Sequence, residues 1–97
     1  MRETGGLEFD WDNANTTHLK RHRVSKEEFE QAVLSDPVLI DSYNLAGEER
    51  LQALGATLAL RVLVLCYTMS EGRLRPVTAW DAGKRLAQLY FRLKGSL

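Results

Sequence analysis

The densest apolar stretch of the chain, Val62-Leu63-Val64-Leu65-Cys66-Tyr67, is uninterrupted by polar residues. Both alternating sets of its side chains are apolar, so the strand it predicts must be covered on both faces and is central to its sheet. Ser70-Glu71-Gly72 then marks a turn, and a second extended run from Arg73 to Trp80 completes a hairpin. Alternation places Leu74, Pro76, Thr78 and Trp80 on one face of that run and Arg73, Arg75, Val77 and Ala79 on the other. Pro76 lacks the backbone donor that a central position needs, which predicts an edge or a bulge just before Thr78.

The flanking segments follow from the same kind of pattern. Leu7, Phe9 and Trp11 alternate as a brief strand, and Asp12 is suited to cap a helix through roughly Arg21. Ser25 and Glu28 form a capping box, with Val24 and Phe29 spaced for the hydrophobic staple across it. A second helix therefore starts at Ser25, turns Phe29, Ala32 and Val33 inward, and ends at Asp36-Pro37 because helical geometry is disfavoured before proline. A strand at Val38 to Tyr43, a turn through Asn44 to Gly47 and an extended segment from Glu49 to Gly55 follow, and Ala56 to Leu60 lead into the central strand. Asp81 caps a final helix with an apolar stripe at Ala82, Leu86, Leu89, Tyr90 and Leu93. This order predicts an α+β domain: an antiparallel sheet of four to five strands, two N-terminal helices and one C-terminal helix, with the helices on one face. Met1 to Gly6 reads as a flexible lead-in and residues 7–97 as a single domain.

With 97 residues, 44% of them hydrophobic, the chain can bury one modest core. Its longest apolar run falls far short of the roughly 18 residues of a membrane span, and its first residues contain no apolar signal region. A cytoplasmic protein is expected. Cys66 is the single cysteine, and inside an apolar strand it reads as a small buried hydrophobe in a reducing compartment.

The 13 basic and 13 acidic residues cancel, so overall charge does not mark a nucleic-acid binder, but the distribution is uneven. Arg73, Arg75, Lys84, Arg85, Arg92 and Lys94 are opposed within their segment by Asp81 alone, and Lys20-Arg21-His22-Arg23 forms a second cluster. Brought together they would make a phosphate-binding surface; held apart they are solvated helix faces. His18 and His22 share a helix face at a spacing that suits a metal, yet no third ligand completes the set in that helix. No cofactor or metal is expected, and neither a Gly-rich phosphate loop nor a nucleophile elbow is present.

Several short segments, in order, carry a family resemblance: Phe9-Asp10-Trp11-Asp12, His22-Arg23-Val24-Ser25 with Glu28, Asp36-Pro37, Gly47-Glu48-Glu49-Arg50, Leu54-Gly55, Arg61-Val62-Leu63-Val64, Tyr67-Thr68 and Arg75-Pro76-Val77-Thr78-Ala79. Their order and spacing, from about Leu7 to Tyr90, resemble the BrnT toxins. The resemblance implies a RelE-like fold and a metal-independent ribonuclease of a bacterial type II toxin–antitoxin pair. It also implies a ribbon-helix-helix antitoxin as partner, in a toxin–antitoxin hetero-oligomer, and RNA as substrate. Two positions depart from the family pattern: Arg23 stands where a glycine is common, and Trp80 where an arginine is common.

Under this resemblance Arg75 and Arg50 are candidate phosphate ligands, Lys20 and His22 candidate proton-transfer or phosphate-contact groups, Glu49 a candidate base or orienting carboxylate and Thr78 a hydroxyl donor. Arg73, Trp80 and Arg85 are candidate RNA contacts, and the flank of the last helix with the Arg73 to Trp80 strand is the expected antitoxin surface. Arginine's donor fork suits charge developing on phosphorus, a task tryptophan cannot perform, although an indole can stack on a base or fill core. The alternative is therefore a catalytically degenerate BrnT-like domain that binds an antitoxin. Because Arg75 and Thr78 fall on opposite faces of an ideal strand, they share a site only if the Pro76 region is bulged.

Overall fold

A computed structural model describes residues 7–95, so the lead-in from Met1 to Gly6 lies outside the described residues. The elements run β1 (Glu8–Phe9), α1 (Asn13–Arg21), α2 (Lys26–Leu34), β2 (Val38–Leu45), β3 (Glu48–Ala56), β4 (Val62–Ser70), β5 (Arg73–Asp81) and α3 (Gly83–Leu93). The strands form one sheet in the order β1-β5-β4-β3-β2.

Local chemistry sets most of these boundaries. Asp12 caps α1 in a reciprocal box with Asn15, and Ser25 caps α2 in one with Glu28. Val24 and Phe29 are both buried, as the staple requires. Helix α2 stops at Leu34, before the proline pair, because Ser35 takes the C-cap and Asp36 swings to a φ of 63°. Strand β2 runs on to Leu45, and the β2–β3 turn narrows to Ala46-Gly47, both at positive φ as a two-residue hairpin turn demands. Helix α3 begins after Ala82; Asp81 remains in β5 and its carboxylate accepts the Gly83 N–H at 2.9 Å.

Two expectations are corrected. The sheet is mixed rather than antiparallel, because β1 lies parallel to β5, with Glu8 opposite Arg73 and Phe9 opposite Leu74. Side-chain alternation encodes which face a residue takes, not the direction of the neighbouring strand. The helices also occupy both faces instead of one. On the first, Leu63, Leu65, Leu74 and Ala79 pack with Leu19 of α1 and Phe29, Ala32 and Val33 of α2. On the second, Leu54, Ala56, Val62 and Val64 pack with Tyr90 of α3, flanked by Trp80 and Leu86. The doubly apolar run of β4 requires that double cover.

Helix α2 sits so close to β3 that a Cβ at Gly55 would meet the Ala32 carbonyl oxygen at 2.5 Å, which explains a glycine there. Arg61 binds three elements together: its guanidinium donates to the Arg23 carbonyl at 2.8 Å and pairs with Glu28 at 3.2 Å and Asp81 at 3.4 Å. At the other end of α3, Lys94 donates to the Asp36 carbonyl at 2.6 Å and carboxylate at 2.9 Å. Leu93, expected in the buried stripe, is 55% exposed.

Candidate functional site

Helix α3 covers only part of its face of the sheet. Beyond its edge, alternation along the paired strands puts Glu48 and Arg50 of β3, Thr68 and Ser70 of β4, and Arg73 and Arg75 of β5 on the same open face. The face continues past Arg75 because the register shifts between Cys66 and Tyr67, where Cys66 opposes Thr78 and Tyr67 opposes Pro76. Val77 is the extra residue of a bulge, and it brings Arg75 and Thr78 to one face. The condition set by the sequence for those two residues to share a side is met.

Helix α1 closes the outer wall. With Ala14, Asn15 and His18 it borders a cleft of about 190 Å³ whose other lining residues are Glu48, Arg50, Thr68, Arg75, Pro76 and Val77. Asn15, buried, donates to the Asp10 carbonyl at 3.0 Å and accepts the Asp12 N–H at 2.9 Å, which fixes the start of α1 against the sheet. The His18 Nδ1 lies 3.2 Å from the Val77 carbonyl. A carbonyl can only accept, so Nδ1 is the donor in this contact and Nε2 takes no part in it.

Each arginine of the open face has a carboxylate near it. Arg50 lies 3.8 Å from Glu48, Arg75 3.9 Å from Asp12, and Arg73 3.7 Å from Asp10. These are long, partly solvated pairs, of the kind worth about 0–1 kcal/mol, and a phosphate oxygen can replace them. Asp12 does two jobs: Oδ1 accepts the Asn15 N–H that caps α1, and Oδ2 is the oxygen turned to Arg75. The Arg50 Nε is buried with no hydrogen-bond partner among the described residues, an unmet donor at the edge of the cleft. Arg73 lines an adjoining hollow of about 290 Å³ with Asp10, Ser70 and Glu71.

The remaining sequence candidates lie elsewhere. Glu49 is on the opposite face of β3, where its carboxylate accepts the Ser42 hydroxyl at 2.8 Å. Lys20 borders an open groove of about 440 Å³ between α1 and α2 with Leu19, Arg23 and Lys26. His22 ends α1 with its ring 6.2 Å from that of Trp80, which packs half-buried against the α3-side core. Thr78 lies further along β5, and Arg85 is exposed on α3. The structure therefore unites Arg50 and Arg75, sets Arg73 beside them, and separates Lys20, His22, Glu49, Trp80 and Arg85 from the cleft. Sequence reasoning did not single out Glu48 or Thr68 as site residues, and it weighed His18 only as half of a metal pair with His22. For Glu48 the signal was present, two residues before Arg50 in one strand, and for Thr68 it lay in the hairpin register that sets it opposite Arg75.

His18 and His22 do not converge on one point, and among the described residues no group of three or more His, Cys, Asp or Glu side chains is arranged to hold a metal ion. No helix among them is long and apolar enough to cross a membrane.

A small α+β domain that gathers arginines, a carboxylate and an oriented imidazole in a cleft on an uncovered sheet face has the makings of a phosphodiester-binding protein. The family model for "Ribonuclease toxin, BrnT, of type II toxin-antitoxin system" matches residues 11–85, and the chain belongs to that family. The matched span runs from just after β1 into α3 and contains the whole lining of the cleft. Membership implies RNA as substrate and an antitoxin as partner. No curated protein is significantly similar to the chain.

Proposed function

We propose that this chain is a metal-independent endoribonuclease toxin that cleaves RNA in the cleft between α1 and the open face of the sheet, and that a ribbon-helix-helix antitoxin silences it. The observation that carries this reading is the convergence of Arg50, Arg75 and His18 on one cleft, with Glu48 beside Arg50. Cleavage without a metal needs three services: removal of the 2′-hydroxyl proton, compensation of charge on the phosphorus oxygens, and a proton for the departing 5′ oxygen. Arg50 and Arg75 hold the phosphate from two sides. Glu48 takes the 2′ proton as that oxygen attacks phosphorus, and His18, acting as the imidazolium with its Nδ1–H held by the Val77 carbonyl, gives its Nε2 proton to the 5′ oxygen as the P–O bond breaks. The products are a 2′,3′-cyclic phosphate and a free 5′-hydroxyl.

The test is incubation of the purified chain, freed of its antitoxin, with structured and unstructured RNAs in the presence of a chelator. Cleavage is expected, and Arg75→Ala or Arg50→Ala should lower it by about 100-fold or more, the usual cost of one charge-stabilising donor. Trp80 favours a second reading, the degenerate antitoxin-binding domain, because it fills the place of a family arginine with an indole packed in the α3-side core. Absence of cleavage in every RNA, with and without ribosomes, by a chain that still captures its antitoxin would establish that reading instead.

A further inference from the structure

We infer that Tyr43, with Leu45 beside it, is a stacking shelf for an unpaired base of single-stranded RNA, next to the phosphate that Arg50 holds. The inference rests on the ribonuclease reading and extends it from the reacting phosphate to the neighbouring nucleotide. Strand β2 is the outer strand of the sheet at the end away from α1, and nearly all of it is exposed. Its register puts Tyr43 directly opposite Arg50 and Leu45 opposite Glu48, so both side chains lie on the face that carries the cleft. Tyr43 is 37% exposed and Leu45 50% exposed.

A single exposed apolar residue needs no explanation, but an aromatic ring opposite a phosphate-binding arginine, with a leucine in the next row opposite Glu48, makes a surface of mixed chemistry. Nucleotides have the same mixture: an anion that arginine holds and a flat apolar face that an aromatic ring holds. Arg50 and Tyr43 sit on neighbouring strands, about 4.8 Å apart at the backbone, close enough for one nucleotide to touch both. The phenol does not spoil the site electrostatically, because its neighbour Cys66 holds its pKa above the ordinary value and the ring stays uncharged. A duplex keeps its bases stacked on one another and offers no free face to the ring, so the shelf selects single strands.

The experiment is equilibrium binding of the purified chain to a fluorescent single-stranded 2′-O-methyl oligonucleotide, which has no free attacking hydroxyl. Copies made abasic at one position at a time, and the matching duplex, are run beside it. Tyr43→Ala and Tyr43→Leu should weaken binding by about 5- to 100-fold, the alanine-scan range for one stacked base, while Tyr43→Phe stays within about twofold. One abasic position should cost the parent chain a similar factor and cost Tyr43→Ala nothing further. The inference is overturned if folded Tyr43→Ala and Tyr43→Leu bind as the parent does, if their losses simply add to the abasic loss, or if they lose the antitoxin and keep RNA. Should Arg75→Ala weaken binding while the Tyr43 variants do not, only the shelf is lost. A parent chain that binds no single strand removes the ribonuclease reading together with it.

Discussion

Glu48 and Glu49 are neighbours in the sequence, yet one borders Arg50 at 3.8 Å and the other bonds Ser42 on the far side of the sheet. A strand reverses its side chains at every residue, so picking the wrong glutamate moves a proposed base through the sheet. Glu48→Gln should therefore lower the rate of RNA cleavage by about 100-fold, within the range for loss of a positioned base, while Glu49→Gln stays within about twofold. Cleavage assays of the two folded variants decide it, and the reverse order would show that the cleft is not the reacting site. Arg50 and Arg75 were reached through the family resemblance, and alternation along paired strands is what sets them on one face. The place of His18 beside the cleft was not legible, because it depends on the Val77 carbonyl, 59 positions away and at a bulge.

The elements themselves were more legible than their arrangement. Caps, staple and apolar periodicity are local, and they foretold α1, α2 and the covered strand β4, whereas the parallel pairing of β1 and the division of helices between the two faces depend on contacts between distant segments. The capping box of α2 also joins layers, because Glu28 serves both the Ser25 backbone and the Arg61 guanidinium. The Ser25 N–H, and then Arg61, hold its carboxyl below the ordinary value of 4.5 despite some opposing desolvation. A carboxyl with a depressed folded pKa adds stability above its unfolded pKa and loses it as pH falls through the folded one. Glu28→Gln keeps an oxygen to accept the Ser25 N–H and removes only the charge. It should lower the thermal midpoint at pH 7 by about 2–5 °C, as a partly exposed ion pair worth under 1 kcal/mol does in a domain of this size. Near pH 3 the gap between parent and variant should close. Thermal melts at the two pH values check this, and a gap that widens in acid would mean that Glu28 is not stabilising as a carboxylate.

The whole molecule carries no net charge, and it must still hold a polyanion. Under the proposed function it does so locally, because the open face concentrates Arg50, Arg73 and Arg75 while the other cations of the two basic clusters are dispersed around α1 and α3. Glu48, Asp10 and Asp12 stay near those three arginines at 3.7 to 3.9 Å, so the face is less attractive to distant phosphates than its arginine count suggests. Long-range steering should be weak and binding should depend on contacts made inside the cleft. Each phosphate neutralised on a single strand contributes about −0.7 to the slope of log affinity against log salt, so three arginines give a slope of about −2. Titrations of a 2′-O-methyl single strand from low to moderate salt measure it, and Arg75→Ala should make the slope shallower by about 0.7. A slope of about −4 or steeper would mean that the Lys20 to Arg23 tract or the cations of α3 also reach the strand. In that case RNA would wrap around the edge of the domain, and the cleft alone would not account for binding.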